Sequence, residues 1–359
     1  MATAINIVEP TLVNEAGHCY SFVAALCKAN KGATPLRLWI GHDAELEFPD
    51  SDVQVEKYFF RRLRQFQSFF LYKKLLGEPG KLFISTARSA DLIIIDWASR
   101  KTISAGKVYL YFHWINTSKQ KLAYLKKLAF RQPNLVILGP TPSVIKVFQE
   151  AGFIDVRLAS YPIYQYESMN LAEETRFRYL LYAGAARQDK GFTHVVDLVE
   201  YLQEHKLTIP VVIQTSSEHY GKYSAQVEAD IKRLKACTYP HLKLRTETLD
   251  VSEYRSLFSG AISLQFYNPT DFCDRISGVT LDAFSAGSPI VTMTGTWMSR
   301  MAQRFGAGAS VSNISPSHIL PVIQELIAGF SRYSKNAFDA SKVLREENSA
   351  RILIDVLTG

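Results

Sequence analysis

The chain has 359 residues, 47% apolar, 12% aromatic and 21% charged. This is ordinary globular composition with ample material for a large core, and at ~150 residues per domain the length favours two domains. The net charge of +7 is uneven: Lys and Arg exceed Asp and Glu by eight up to Gln165 and fall one short beyond it. A basic half suits nucleic acid, an acidic substrate or an anionic membrane surface, and no nucleic-acid-binding motif is present, so nucleic acid is set aside.

Cys19, Cys27, Cys237 and Cys273 form no C-x-x-C pair and no cluster at zinc spacing, so they are expected to be reduced thiols. The opening MATAINIVEP has no basic n-region, and no apolar run approaches the ~18 residues of a membrane span. The expectation is a cytoplasmic protein, soluble or peripheral to a membrane.

In chain order, Ala4 to Val8, Leu36 to Ile40, Leu92 to Ile95, Val108 to Phe112 and Leu135 to Leu138 are predicted to be buried parallel strands. The same rhythm restarts with Tyr179 to Ala183, Val211 to Gln214, Leu242 to Leu244, Ala261 to Phe266 and Pro289 to Met293. Two alternating β/α series imply an α/β protein with two doubly wound sheets, over 1–165 and 178–335. Pro162 and the polar stretch Glu167 to Arg178 mark the linker. A last helix, within 336–359, is expected to pack across both domains.

The stretch Asp271 to Val291, DFCDRISGVTLDAFSAGSPIV, sets Asp274 and Asp282 eight positions apart around Gly278. From Gly278 the pattern is helical, so the amides of Gly278, Val279 and Thr280 fall in a first turn, where the dipole and open N–H groups suit a diphosphate. Asp282, at i+4, is placed to accept from a ribose diol. On the residues alone it reads equally well as a polar residue on a surface helix.

This segment resembles the E-x(7)-E element of the retaining GT-B glycosyltransferases (the family 4, group 1 type). It keeps the acid spacing, the following alanine and the Gly-x-Pro-Ile-Val tail. Both glutamates are aspartates, and the glycine falls one place late. The resemblance implies that Asp282 holds the ribose and Asp274 sits by the transferring sugar. A second likeness is Gly184 to Phe192, GAARQDKGF, which resembles the family's G-R-x(4)-K-G-F turn. There an arginine and a lysine neutralise the donor diphosphate. Lys190 matches; Ala185 stands where the arginine would be, leaving Arg187 to reach the phosphates.

The N-terminal half offers Gly17 for close phosphate approach and His18 near donor or acceptor, although His18 reads nearly as well as a capping or surface histidine. His113, ending the Val108 strand, matches the family's histidine beside the transferring sugar; a satisfied core histidine is the alternative. Base recognition is placed near Thr246 to Val251 by position only.

The resemblance implies two Rossmann-like domains facing a central cleft, with a UDP- or GDP-type sugar as co-substrate. It also implies a glycan or lipid-linked acceptor. No cofactor or metal is expected: the sole D-x-D, Asp50 to Asp52, reads as a solvated turn. A catalytically degenerate binding subunit and a sugar-nucleotide epimerase are the competing readings.

Lys57 to Leu76, KYFFRRLRQFQSFFLYKKLL, carries six basic residues and no acid. Phe59, Leu63, Phe66 and Phe70 are predicted to form a helical stripe flanked by Arg61, Arg62, Arg64, Lys73 and Lys74. An interfacial membrane helix and a sheet-packed helix with a basic acceptor-binding face both fit.

Overall fold

The computed structural model describes residues 4–15, 18–46, 48, 53–163, 176–215, 223–247 and 249–359. Gly17, the Asp50 to Asp52 turn and residues 164–175 of the linker lie outside them, as does the side chain of His18. The chain divides into two compact units, residues 1–166 with 345–359, and residues 167–344.

The first unit runs β1 (Ile5–Val8), α1 (His18–Asn30), β2 (Leu36–Gly41), β3 (Val53–Phe59), α2 (Arg64–Gly77), β4 (Lys81–Ile84), α3 (Ser89–Ser99), β5 (Val108–Tyr111), α4 (Lys119–Arg131), β6 (Val136–Gly139), α5 (Pro142–Glu150) and β7 (Asp155–Leu158). Its seven strands are parallel in the order β3-β2-β1-β4-β5-β6-β7. Strand residues alternate between faces. Leu82, Ile84, Val108 and Leu110 meet α2 to α5 on one side. On the other side Phe83 and Tyr111 meet Phe22 of α1, with ring centroids 6.4 and 4.9 Å apart.

The second unit runs β8 (Tyr179–Tyr182), a 3-10 turn (Gln188–Lys190), α6 (Phe192–Glu204), β9 (Val211–Gln214), α7 (Ala225–Ala236), β10 (Leu242–Arg245), α8 (Val251–Ser256), β11 (Ala261–Gln265), α9 (Pro269–Phe272), α10 (Gly278–Ser285), β12 (Ile290–Met293), α11 (Trp297–Phe305), β13 (Gly308–Val311), α12 (Pro316–Ala328) and α13 (Phe330–Glu347). Its six parallel strands run β10-β9-β8-β11-β12-β13. The terminal helix predicted from Asn336 to Leu357 is two: α13 ends at Glu347, and α14 (Ala350–Thr358) starts from a Ser349 cap and packs beside α1 in the first unit.

Leu92 to Ile95 is not a strand but part of α3, and the strand it displaced is Lys81–Ile84. A four-residue apolar run fits either period. Here Leu92 and Ile95, three apart, form the inward face of the helix. The basic segment is also reorganised. Lys57 and Phe59 belong to β3, Arg61 and Arg62 to a turn, and the helix starts only at Arg64. Its inward face is Ser68, Leu71, Tyr72 and Leu75, which leaves Phe66 and Phe70 pointing outward.

Each sheet reverses its direction of growth once, between β1 and β4 and between β8 and β11. At the first reversal the strand exits are tied by Glu9, which is 1% exposed. Its carboxylate accepts from the hydroxyls of Thr11 (2.6 Å), Ser85 (2.8 Å) and Thr86. Removing the carboxylate takes away the acceptor that these three hydroxyls share, and Ser85 keeps only the longer bond to Val8 O at 3.3 Å. Glu9→Ala should therefore lower unfolding free energy by about 3 kcal/mol in urea titrations, and Glu9→Gln by less. A loss below about 1 kcal/mol for the alanine variant would remove this role.

Candidate functional site

The second reversal point gathers the donor-site residues singled out in the second half of the sequence. β8 leaves the sheet through Gly184, whose φ is +110° and whose N–H donates to Gln214 Oε1 at 3.0 Å. A Cβ on Gly184 would lie 3.6 Å from Lys190 Nζ and 3.8 Å from Val279 Cγ2. Bare backbone, an ammonium group and the first turn of α10 thus converge. Gly191 lies so close to β11's exit that a Cβ would be 2.1 Å from Phe266 O. The Asn268 amide donates to Asp189 O at 2.9 Å, so the loops after β8 and β11 hold each other.

Lys190 lies 5.5 Å from the Tyr267 ring. Burial, followed by the positive charge of Arg187 and opposed by Asp189, brings its ammonium down to about 8, and Arg275 pushes the same way. Arg187 is exposed and paired with Asp189, Nε to Oδ1 at 2.8 Å. Arg275 stacks on Phe272 at 4.9 Å and is likewise held below the usual guanidinium range, by burial and then by Arg187. Sequence reading passed over Arg275, although it directly follows Asp274. Three cations that raise one another's energy form the kind of place an anion with several charges occupies.

α10 starts from Ser277, which also escaped notice in sequence. Its hydroxyl accepts from the Thr280 amide at 3.3 Å. Thr280 is therefore corrected: its amide serves the cap, and its buried hydroxyl donates to Gln265 Oε1 at 2.6 Å. The amides of Gly278 and Val279 are the first-turn donors that a helix leaves without an internal acceptor. Above Gly278 a Cβ would meet nothing within 4 Å.

Asp282 lies one turn on. Burial raises its carboxyl to about 6, against the opposing charge of Arg255 from α8. Asp274 precedes α10 and meets Arg300 of α11, Oδ1 to Nη2 at 2.8 Å; Arg300 also donates to Cys273 O at 2.7 Å. Past β10, Glu247 is 3.3 Å from Arg245, and Asp250 caps α8.

In the first unit, His113 follows β5, and its Nε2 is 2.9 Å from Ser85 O. A carbonyl only accepts, so Nε2 carries a hydrogen. Phe22, Tyr111 and Tyr161 surround the ring with centroids 5.2, 5.2 and 5.3 Å away. Ser85 in turn is held by Glu9, so the imidazole is oriented from the first reversal point. Arg61, Arg62, Lys73 and Lys74 are exposed and Arg64 is half-buried. The four cysteines are free. Among the described residues no group of His, Cys, Asp or Glu is arranged to hold a metal ion, and no helix is long and apolar enough to cross a membrane.

Two parallel sheets, each with its functional groups at the carboxyl ends beside a strand-order reversal, can be compared with solved structures. The HepE protein of Anabaena in complex with UDP and glucose superposes with a TM-score of 0.68 at 13% identity, covering 99% of this chain and 98% of that one. The chain has the GT-B fold. Sucrose-phosphate synthase of Thermosynechococcus elongatus matches at TM-score 0.70 and 12% identity, again over 99% and 98%. A glycosyltransferase of Rickettsia africae gives 0.68 and 10% over the same shares. No protein-family model and no curated protein sequence matches the chain.

The environment of Asp282 has a direct consequence for stability. Its folded-state value is raised, so the fold is penalised where the carboxyl is charged, above about pH 6, and relieved as pH falls toward its ordinary value of 3.8. Asp282→Asn should raise the melting temperature by about 3 °C at pH 8 and by almost nothing at pH 4. An equal gain at both values would place the cause elsewhere.

Proposed function

We propose that the protein is a cytoplasmic, retaining, metal-independent hexosyltransferase. It moves a sugar from a UDP- or GDP-type nucleotide-diphosphate donor to a glycan or lipid-linked acceptor in surface polysaccharide or glycolipid synthesis. One observation carries this reading: Lys190 lies beside the Gly184 backbone and the first turn of α10, in the field of Arg187 and Arg275, with Asp282 one turn beyond. The diphosphate is met by Lys190, Arg275 and the amides of Gly278 and Val279. Arg187 adds its field while braced on Asp189. Asp282 accepts from the ribose diol. Crystals of the fold relative HepE with UDP and with UDP-glucose support a nucleotide-sugar donor.

The chemistry then needs no nucleophile from the protein. The bond from the sugar's anomeric carbon to the phosphate oxygen breaks, and the acceptor oxygen bonds to that carbon on the same face. The acceptor proton passes to the departing phosphate. Positive charge near the phosphates stabilises the leaving group as it forms, which is the role a metal has elsewhere. His113, with its tautomer set by Ser85, and Asp274 are assigned to the sugar hydroxyls. Gly17 and His18 are assigned to donor and acceptor contact. Cytoplasmic placement is supported by the free cysteines.

A second reading, a sugar-nucleotide-binding subunit without turnover, draws on the Asp274–Arg300 ion pair, which already occupies the acid assigned to the sugar. Release of free nucleotide from a nucleotide sugar, with a product of unchanged anomeric configuration by NMR, separates the two.

Thermal shifts with UDP, GDP and ADP should single out one base and be the same with EDTA. Lys190→Ala and Arg275→Ala should each weaken that nucleotide about ten-fold or more, which is at least about 1.4 kcal/mol. Affinity should peak between about pH 6 and 8: below, Asp282 gains a proton and, as a neutral acid, accepts less strongly from the diol; above, Lys190 in the free protein loses its charge. No shift with any nucleotide would defeat both readings.

A further inference from the structure

The most one-sided surface of the molecule lies in the first unit. From Lys57 to Arg131, sixteen Lys and Arg stand against three acids. Each of the three is engaged. Glu78 is 3.9 Å from Lys74, and Asp96 pairs with Arg131. Asp91 accepts from the Tyr72 hydroxyl at 2.9 Å and the Arg88 amide at 2.8 Å. Within this stretch no further acid remains to offset the exposed cations Arg61, Arg62, Lys73, Lys126 and Lys127.

The same stretch carries large apolar side chains that the core does not use. Phe66 and Phe70 on α2 are 66% and 48% exposed, Trp97 on α3 is 70% exposed and Phe130 on α4 is 89% exposed. Eleven of the twelve large hydrophobic residues exposed among the described residues belong to the first unit. α2, α3 and α4 connect consecutive strands on one face of the sheet, so they form one layer. Phe66 and Phe70 pack against each other at 4.7 Å near the start of α2. Trp97 and Phe130 sit in the last turns of α3 and α4, each beside one member of the Asp96–Arg131 pair. On each helix these aromatics lie opposite the buried face: Ser68, Leu71, Tyr72 and Leu75 on α2, Leu92, Ile95 and Ala98 on α3, and Leu125, Leu128 and Ala129 on α4. Lys126, Lys127, Phe130 and Arg131 line a surface hollow at the far end of the layer.

We propose that the outer face of α2, α3 and α4 docks on an anionic phospholipid surface, with Phe66, Phe70, Trp97 and Phe130 entering the headgroup layer and the surrounding Arg and Lys meeting lipid phosphates. Composition separates lipid from protein as the occupant. Protein interfaces are depleted in lysine, whereas the membrane boundary favours lysine and arginine around tryptophan and phenylalanine. Charge of a single sign over three helices matches a surface of the opposite sign, and each cation near such a surface adds attraction. The surface is not the single Lys57 to Leu76 helix that the sequence suggests. It is a tertiary face to which Trp97 and Phe130 come from beyond that segment. The inference does not rest on the transferase reading, because none of these residues belongs to the donor site.

The test is co-sedimentation of the full chain with phosphatidylcholine vesicles, plain or with roughly 30 mol% phosphatidylglycerol. Binding is expected only to the anionic vesicles and should be released by roughly 0.5 M salt. Tryptophan emission should move to the blue on binding, and Trp97→Phe should abolish most of that shift while still sedimenting. Trp97→Ser with Phe130→Ser should lower partition at least about ten-fold. Its melting temperature and nucleotide shift should be unchanged, since both side chains are exposed. Four results would overturn the proposal: no binding at low salt, equal binding to neutral vesicles, unchanged partition of the double variant, or a blue shift that persists in Trp97→Phe. Binding to polyglutamate as tight as to the vesicles would also overturn it, in favour of an acidic protein partner.

Discussion

The second unit depends on one close approach of backbone to backbone. At Gly191, φ is +68°, and an added Cβ would fall 2.1 Å from the Phe266 carbonyl oxygen. Only glycine lets the turn after β8 press against the exit of β11. That contact, with the Asn268 amide on Asp189 O, brings Lys190 beside the start of α10. Without it the ammonium, the Gly184 backbone and the helix amides would belong to separate loops.

What is assembled there is unfavourable without a ligand. Lys190 and Arg275 are both drawn from water and face Arg187, so each is easier to deprotonate than usual. Withdrawal from water raises the Asp282 carboxyl, and the charge of Arg255 eases it. Free energy that a fold would gain by neutralising these groups is withheld until an anion and a hydrogen-bond donor arrive. Sites poised for binding show this opposition between stability and function. The first unit differs: Glu9 is fully satisfied by hydroxyls, and its task is to hold Ser85, and through it His113, in place.

The uneven charge of the chain resolves along the same division. The excess of Lys and Arg before Gln165 is concentrated on the layer of α2, α3 and α4, where acids are few and tied. In the second unit, acids are matched by cations, as where Arg233 joins Asp197 at 2.7 Å, Glu200 at 2.6 Å and Asp230 at 3.0 Å between α6 and α7.

The sequence by itself determined the two α/β series, most central strands and the two motifs around Lys190 and Asp282. Buried strands are short apolar runs, and phosphate-binding turns need glycine where backbone must come close. Strands β3 and β7, edges of the first sheet, and β13, edge of the second, were not legible, because an edge half-facing water carries polar residues. Leu92 to Ile95 misled because burial on a helix face and burial in a strand use the same residues. Only tertiary structure decided that Arg275 joins Lys190, that Ser277 takes the Thr280 amide, that Glu9 ties β1 to β4, and that Phe66, Phe70, Trp97 and Phe130 share one layer. Each of these joins residues through space by packing and shared charge, which local periodicity does not encode.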